Sequence, residues 1–382
     1  MYHISTLNKI SPAGLKCFNA EYIITEDVAK ADGILVRSQD MHEMEFSPEL
    51  KAVARAGAGV NNIPLDRCAE QGIVVFNTPG ANANAVKELV LCGLLLAARN
   101  VPAALTWAKG LTEDVSKQVE KGKSQFAGHE IMGKTLGVIG LGAIGRKVAA
   151  SAKALGMEIA GYDPYYTSGG EGISVYTDLT EMLAVSDFVT LHLPATDSTK
   201  GMINKEMFDA MKDGAILLNF SRDKLVKDVD LAVALETGKV AQYVTDFPND
   251  NLVGMNNVIL LPHLGASTEE AEDNCAVMAV EQMRDYFENG NIVNSVNFPK
   301  LDMGPLEKGC RLAFMVTGFE NPVTDLLEML AQAQMPVGRI MASRRDDGIA
   351  YVLAEVVAED APDILFGGEA GAKVMSVRKI TK

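Results

Sequence analysis

The residues with the clearest chemical potential form a glycine-rich turn near the middle of the chain. Gly140, Gly142 and Gly145 make a GxGxxG pattern directly after the apolar run 135–140, which predicts a buried parallel strand, and residues 146–155 follow with helical periodicity. In this context the first glycine permits a tight turn, the second lets backbone amides approach a pyrophosphate, and the third lets the helix pack on the strand. The pattern therefore predicts a dinucleotide-binding turn.

An acidic residue beyond this turn favours NAD over NADP. The apolar run 157–162 ends in Asp163, eighteen residues past Gly145, where a carboxylate can accept hydrogen bonds from ribose hydroxyls. Asp163 would repel the 2′-phosphate of NADP, and the next basic residue is Lys200. We therefore expect NAD as the cofactor, with its phosphates at the helix N-terminus formed by Ala143 and Ile144.

Further side chains that could do chemistry follow other apolar runs. Arg222, His263 and the two carboxylates Asp246 and Asp250 each come just after a predicted strand, and ligands in open α/β sheets bind at the carboxyl ends of strands. They offer a cation that can bind a substrate carboxylate, an imidazole that can transfer a proton, and an acidic side chain that can orient and polarise the imidazole. Oxidation of a 2-hydroxy acid by hydride transfer needs these groups. His192 occupies an equivalent strand-end position, so position alone does not choose between the two histidines.

The elements that must position these residues alternate between strands and helices. Strands are predicted at 3–7, 22–25, 33–37, 52–56, 73–77, 188–192, 215–219, 241–246 and 258–261. Helices are predicted at 13–18, 47–50, 65–71, 83–99, 204–211 and 228–237, followed by a helix to about Phe287 whose capping box pairs Ser267 with Glu270. This alternation predicts an α/β protein with two doubly wound parallel-sheet domains, one flavodoxin-like and one Rossmann.

The character of the sequence changes near residue 303. Strands at 311–316, 337–343, 349–357 and 373–380, with helices at 323–334 and before the last strand, predict a small βαββαβ C-terminal domain. We therefore expect a substrate-binding domain at 1–99 with a return segment at 286–300, an NAD-binding Rossmann domain at 100–285, and a third domain at 303–382.

Composition narrows the classes of partner. The 382 residues carry a formal net charge of −15, which argues against nucleic acid or an anionic membrane as a partner. No apolar run is long enough to span a bilayer, and the N-terminus lacks the pattern of a signal peptide. The five cysteines show no CxxC spacing, so we expect reduced thiols, no metal site and a cytoplasmic protein.

From Val36 to about Asn297 the chain resembles the D-isomer-specific 2-hydroxyacid dehydrogenases. The motifs that carry the resemblance are GVIGLGAIG at 137–145, LHLP at 191–194, NFSR at 219–222 and LPHLGAST at 261–268. The resemblance implies that Arg222 binds the substrate carboxylate and that His263 is the acid–base residue. The family's third catalytic residue is a Glu, which is absent here, and Asp250 is its predicted replacement. Further residues implied to contact the cofactor are Thr78, Leu193, Phe220, Ser221, Asp246 and Gly265.

Within the family, the chain is most similar to members that oxidise 3-phospho-D-glycerate in the first step of serine biosynthesis. The similarity lies in LVRS at 35–38, RAGAGVNN at 55–62 and NTPG at 77–80. It implies that Arg37 and Ser38 meet a phosphate, while Gly57, Gly59 and Asn61 bind a carboxylate. A glyoxylate, hydroxypyruvate or other D-2-hydroxyacid reductase is the alternative, and an NAD(H)-sensing scaffold is the alternative from another class.

The C-terminal domain resembles an ACT regulatory module. Its expected ligand turn at 318–323 has Val323 where a Gly usually follows the Pro, so either effector binding or subunit assembly is a possible role. We expect a homodimer or a homotetramer.

Overall fold

The computed structural model describes residues 1–166, 172–357 and 371–382, which form two compact units. Unit 1 comprises Met1–Ala81 and Glu272–Lys382, and unit 2 comprises Asn82–Ala271. The C-terminal residues thus share a unit with the N-terminal segment. The division into three domains with boundaries at 99/100 and 285/286 stays a prediction.

The N-terminal part of unit 1 is built on a parallel sheet. Its strands are β1 (Tyr2–Leu7), β2 (Tyr22–Thr25), β3 (Gly33–Val36), β4 (Ala52–Arg55) and β5 (Val74–Phe76), and its helices are α1 (Pro12–Leu15) and α2 (Leu65–Glu70). The strand order is β2-β1-β3-β4-β5. All four residues of β3 are buried, as expected for a central parallel strand covered on both faces. The carboxyl ends of β3 and β4 lie side by side, with Val36 paired to Arg55.

Unit 2 contains the second parallel sheet. Its strands are β6 (Thr135–Ile139), β7 (Glu158–Tyr162), β8 (Ser174–Tyr176), β9 (Phe188–Leu191), β10 (Ala215–Asn219), β11 (Val240–Thr245) and β12 (Val258–Leu260). Its helices are α3 (Ala83–Ala98), α4 (Val101–Lys109), α5 (Val115–Gly122), α6 (Ala143–Ala154), α7 (Leu179–Val185), α8 (Lys205–Ala210) and α9 (Asp228–Glu236). The strand order β12-β11-β10-β9-β6-β7-β8 reverses direction at β6. In such sheets the ligand crevice opens at this switch point.

A long helix and an antiparallel sheet complete unit 1. The elements are α10 (Glu269–Asn289), whose first three residues belong to unit 2, β13 (Cys310–Val316), α11 (Pro322–Gln332), β14 (Val337–Arg344), β15 (Ala350–Val356) and β16 (Val374–Thr381). The antiparallel order β14-β15-β13-β16 is that of a βαββαβ module. The predicted second helix of the module falls on residues 358–370, which lie outside the described residues. Together the three sheets confirm the predicted fold class.

The C-terminal module is fastened to the end of α10 by side chains that cap the helix. Arg378 donates to the carbonyl oxygen of Tyr286 at 2.8 Å, Arg311 donates to that of Asn289 at 2.6 Å, and the Tyr351 hydroxyl donates to that of Gly290 at 2.7 Å. Carbonyls at a helix C-terminus carry the negative end of the helix dipole, so guanidinium groups stabilise them. That of Tyr286 also accepts a hydrogen bond from Gly290 N at 3.0 Å. This capping explains why the module belongs to unit 1.

Two local predictions are wrong. Residues 47–50 form a turn closed by a hydrogen bond from Leu50 N to the carbonyl oxygen of Ser47, because the segment is too short to add a second helical turn. The cap of α10 is Thr268, whose hydroxyl accepts a hydrogen bond from Ala271 N at 3.1 Å, and Ser267 has no capping role. Two adjacent hydroxyl residues made the sequence pattern ambiguous by one position.

Within the described ranges, no helix is by itself long and apolar enough to cross a membrane. By length and composition alone, α3 and α4 meet the criterion only as a pair, with a bend of 68° between them.

Candidate active site

The glycine-rich turn at the end of β6 has the geometry that its sequence predicts. Gly140 has a φ of +94°, and a Cβ there would lie 2.4 Å from the carbonyl oxygen of His192. A Cβ at Gly145 would lie 1.9 Å from the carbonyl oxygen of Gly140. A Cβ at Gly142, by contrast, would meet no heavy atom of the described chain within 4 Å. The fold itself thus requires glycine at the first and third positions, while the second position borders open space.

The N-terminus of α6 points out of this turn. The helix begins at Ala143 with Gly142 as its cap, and no side chain makes a capping hydrogen bond. The backbone amides of Ala143, Ile144 and Gly145 belong to the first turn, whose amides have no acceptor within a helix. Such an uncapped N-terminus is suited to bind a phosphate group.

Asp163 holds the glycine-rich turn from the end of β7. Its Oδ2 accepts a hydrogen bond from Leu141 N at 2.8 Å, and its Oδ1 accepts one from Tyr165 N at 2.9 Å. Each carboxylate oxygen can accept a second hydrogen bond, so ribose hydroxyls remain possible partners. The position of Asp163 could be predicted from the sequence, but its hydrogen bond to Leu141 could not.

The backbone at Arg222 is fixed by Asn219, the fully buried last residue of β10. The Asn219 side chain accepts hydrogen bonds from Ser221 N at 3.1 Å and Arg222 N at 3.4 Å, and it donates to the carbonyl oxygen of Arg222 at 2.8 Å. The exposed Arg222 guanidinium donates through Nη1 to the carbonyl oxygen of Ser221 at 2.6 Å. No carboxylate of the described residues pairs with it, so it is available for an anionic ligand.

His263 and Asp246, the predicted acid–base residue and a carboxylate near it, lie after β12 and β11. The exposed His263 ring packs on Phe247, with 4.6 Å between the ring centroids. Asp246 is 1% exposed, and its Oδ2 accepts a hydrogen bond from Gly265 N at 3.0 Å, while its buried Oδ1 has no partner among the described residues. Burial raises the pKa of Asp246, and the Gly265 amide and the His263 imidazole oppose that shift. Asp246 and His263 are therefore close enough to interact electrostatically.

Asp250 lies in the loop after Asp246 with an exposed side chain. Asn249 shapes this loop, since its Oδ1 accepts hydrogen bonds from Asn251 N at 2.9 Å and Leu252 N at 3.1 Å. In the described parts of the chain, no hydrogen bond or ion pair joins Asp250 to His263. Its assignment as the replacement for the family's Glu stays a prediction.

His192 has a different environment from His263. Its Nε2 lies 3.0 Å from the Thr190 hydroxyl, and its Nδ1 is buried without a partner among the described residues. Burial lowers the pKa of His192 to about 3, so the imidazole is neutral at physiological pH. This separates the two histidines that sequence position could not distinguish.

Three further residues implied to contact the cofactor lie near the ends of β9 and β10. The Ser221 hydroxyl donates to the carbonyl oxygen of Leu191 at 2.5 Å. Phe220 is buried, with its ring against Gly93 of α3. Leu193 is half-buried, and its Cδ2 lies next to Gly140. Phe220 thus contributes its side chain to the core.

The predicted phosphate residues of unit 1 lie at the carboxyl end of β3. Arg37 Nη2 lies 2.8 Å from Glu272 Oε1 of α10. Arg55, at the end of β4, donates through Nε to the carbonyl oxygen of Arg37 at 2.9 Å. Gly57 has a φ of +153°, and a Cβ there would lie 2.7 Å from Arg55 Nη1. Sequence reasoning missed Arg55 and Glu272, although Arg55 directly precedes the glycine pattern.

The other predicted residues of unit 1 differ in burial and in their partners. Ser38 donates through its backbone amide to Asn8 Oδ1 at 3.0 Å. Thr78 is fully buried, its amide donates to the carbonyl oxygen of Gly57 at 3.1 Å, and its hydroxyl lies beside the Cys275 thiol. Gly59 is half-buried, and the side chain of Asn61 is exposed.

Comparison with known proteins identifies what this arrangement resembles. Residues 93–265 match the NAD binding domain of the D-isomer specific 2-hydroxyacid dehydrogenases. The chain is 37% identical over 319 residues to D-3-phosphoglycerate dehydrogenase of Methanocaldococcus jannaschii, covering 79% of this chain but only 59% of that protein. It is 34% identical over 349 residues to the Haemophilus influenzae protein of the same name, covering 87% and 82%.

Solved structures show the same fold. A glyoxylate/hydroxypyruvate reductase of Sinorhizobium meliloti, described as NADPH-dependent, superposes with a TM-score of 0.67 at 25% identity, covering 78% of this chain and 98% of that one. The NAD⁺-bound 3-phosphoglycerate dehydrogenase of Entamoeba histolytica superposes with a TM-score of 0.63 at 27% identity, covering 78% and 99%.

Proposed function

The chain belongs to the family of D-isomer specific 2-hydroxyacid dehydrogenases, and we propose that it oxidises 3-phospho-D-glycerate at C2 to 3-phosphohydroxypyruvate with NAD. The observation that favours a phosphorylated substrate is the presence of two arginines, Arg37 and Arg55, at the ends of neighbouring strands. A protein with a net charge of −15 needs such a local concentration of cations to hold a dianion. The D-3-phosphoglycerate dehydrogenases among its relatives support the same choice.

The residues of unit 2 fit NAD. Gly142 leaves open space where a pyrophosphate would approach the N-terminus of α6. Asp163 would accept hydrogen bonds from the ribose hydroxyls and repel a 2′-phosphate. The unpartnered, buried Oδ1 of Asp246 is an acceptor that a carboxamide would satisfy. NAD, when bound, supplies the hydride acceptor.

The chemistry of the protein's own residues is proton transfer and charge stabilisation. Arg222 would bind the substrate carboxylate through two parallel hydrogen bonds. His263, as the neutral imidazole, would take the proton from the C2 hydroxyl as C2 loses its hydride. The nearby carboxylate of Asp246 would stabilise the imidazolium that forms, and Asp250 stays the predicted third member of the catalytic set.

The substrate residues of unit 1 complete the proposal. Arg37 and Ser38 would bind the phosphate, and the backbone amides at Gly57 and Gly59, with the Asn61 side chain, would donate to a carboxylate. The ACT-like module, a homodimeric or homotetrameric assembly and a cytoplasmic location belong to the same proposal, and light scattering of the purified protein would measure the assembly.

The test is NADH formation, followed at 340 nm, with 3-phospho-D-glycerate, D-glycerate and D-lactate at equal concentrations. We expect the phosphorylated acid to give the highest kcat/KM and NAD to be preferred over NADP. A preference for glyoxylate or hydroxypyruvate in the reductive direction would favour the reductase alternative. NADH binding without turnover on any of these acids would favour the scaffold alternative.

A further inference from the structure

Glu272 is the feature of the phosphate region that the proposed reaction does not use. It lies near the start of α10, and its Oε1 is 2.8 Å from Arg37 Nη2. Both side chains are about half exposed, at 45% for Glu272 and 42% for Arg37. Within the described residues, Glu272 is the one carboxylate that pairs with Arg37.

The surroundings place this ion pair in the anion-binding region rather than on an unrelated face. Arg37 is tied to Arg55, which donates to its carbonyl oxygen. One turn along α10 from Glu272, the buried Cys275 lies beside Thr78. The charges of Arg37, Arg55 and Glu272 all influence the pKa of its thiol, which burial raises. The start of α10 therefore faces the two arginines, and Glu272 supplies the negative charge among them.

A carboxylate in this position competes with any anion that approaches Arg37. A phosphate oxygen that accepts a hydrogen bond from Arg37 Nη2 must replace Glu272 Oε1. A phosphate bound to the other N–H groups of the Arg37 guanidinium would lie close to the negative charge of Glu272. A half-exposed ion pair is weak, because water solvates both partners. A dianionic phosphate can therefore displace Glu272, which has exposed surface through which to turn into solvent.

We propose that Glu272 competes with the substrate phosphate for Arg37 and thereby sets how tightly the site holds a dianionic group. The inference rests on the proposed function, since it takes the phosphate of the substrate as the competing anion. A neutral hydroxyl, as in D-glycerate, leaves the pair intact. A monoanionic group gains little, because it exchanges one carboxylate for another.

The inference makes a directional prediction for Glu272→Gln, which removes the charge and keeps the length of the side chain. KM for 3-phospho-D-glycerate should fall by about two- to fivefold, with kcat unchanged, since the change acts on binding of the phosphate. kcat/KM for D-glycerate should not change. Glu272→Asp, which keeps the charge, should stay near wild type. Glu270→Gln is the matched control, because it removes the same charge from the same helix at an exposed residue that makes no ion pair in the described structure.

A binding measurement separates this inference from the proposed function. Inorganic phosphate is titrated calorimetrically into the wild-type protein, Glu272→Gln, Glu270→Gln and Arg37→Ala. We expect binding to tighten by about two- to fivefold in Glu272→Gln, to weaken in Arg37→Ala, and to stay unchanged in Glu270→Gln. Equal or weaker phosphate binding by a folded Glu272→Gln protein would overturn the inference and show that Glu272 orients Arg37 or is idle. A wild-type protein that binds phosphate but does not oxidise 3-phospho-D-glycerate would overturn the proposed function alone.

Discussion

Gly142→Ala should separate cofactor binding from folding. The φ of −72° and the extended ψ at Gly142 suit an L-residue, and an added Cβ meets no heavy atom of the described chain within 4 Å. Replacing glycine at a compatible position stabilises by about 0.4–1 kcal/mol through the unfolded state. Alanine is a poorer helix N-cap, which costs a similar amount. The two effects nearly cancel, so the free energy of unfolding should change by less than about 1 kcal/mol.

The same methyl group should weaken NAD binding strongly. It would occupy the space through which a pyrophosphate reaches the first-turn amides of α6, and each charge-assisted hydrogen bond lost there is worth about 1.5–3 kcal/mol. Loss of one such bond raises Kd for NADH by about ten- to a hundredfold, measured by the fluorescence enhancement of bound NADH. Thermal unfolding of the same sample gives the stability.

Gly145→Ala is the contrasting variant for this experiment. Its Cβ would lie 1.9 Å from the carbonyl oxygen of Gly140, and backbone cannot yield as a flexible side chain can, so this protein should be strongly destabilised even without ligand. Unchanged NADH affinity in Gly142→Ala would refute the assignment of the open space to the cofactor. Unfolding of Gly142→Ala would refute the steric reasoning.

Three further substitutions test individual roles. His263→Ala should lower turnover by about 10²–10⁴-fold with NADH affinity retained. His192→Ala removes an imidazole that is neutral at physiological pH and should lower turnover far less. A larger loss of steady-state rate in His192→Ala than in His263→Ala would show that His192 is the acid–base residue. Asp163→Ala should weaken NAD and narrow its preference over NADP, and a wild-type preference for NADP would contradict this. Because burial raises the pKa of Asp246 above its usual value, its contribution to stability is lost as pH rises through that raised pKa. The free energy of unfolding of Asp246→Asn, measured by urea denaturation, should therefore be higher than that of the wild type at pH 7. The difference should shrink as the pH falls toward 4. A variant that is less stable than the wild type at pH 7 would contradict this.

The sheet architecture could be predicted because its signals are local. The strands of unit 2 other than β8, which has an exposed Ser174 and was not predicted, are short apolar runs. The glycines at 140 and 145 stand where the turn between strand and helix leaves no room for a side chain. Arg222 and His263 could also be placed, since each directly follows a strand and the strand ends of a parallel sheet share one edge.

The contacts that tune the site could not be predicted, because they join distant parts of the chain. Glu272 and Arg37 are far apart in sequence, and nothing in either neighbourhood specifies the other. The bond from Leu141 N to Asp163 depends on the pairing of β6 with β7. Capping by Thr268 rather than Ser267 depends on the residue at which the helix begins. Two adjacent hydroxyl residues in the sequence do not determine that residue.

The inclusion of the C-terminal module in unit 1 has the same cause. The sequence around its arginines, Arg311 and Arg378, gives no sign of the groups that they contact. Only the fold shows that they cap the carbonyls at the end of α10. Sequence periodicity indicates which face of a helix or strand is apolar. It does not indicate which helix C-terminus a charged side chain will contact.

The most direct test of a phosphorylated substrate is the ratio of kcat/KM for 3-phospho-D-glycerate to that for D-glycerate, measured in the wild-type protein and in Arg37→Ala. A charge-assisted contact to the phosphate is worth about 1.5–3 kcal/mol, so the ratio should be high in the wild type and fall by about ten- to a hundredfold in the variant, through the phosphorylated substrate alone. An equal loss of kcat/KM on both substrates would contradict the account, since Arg37 would then hold the structure or a carboxylate instead of the phosphate.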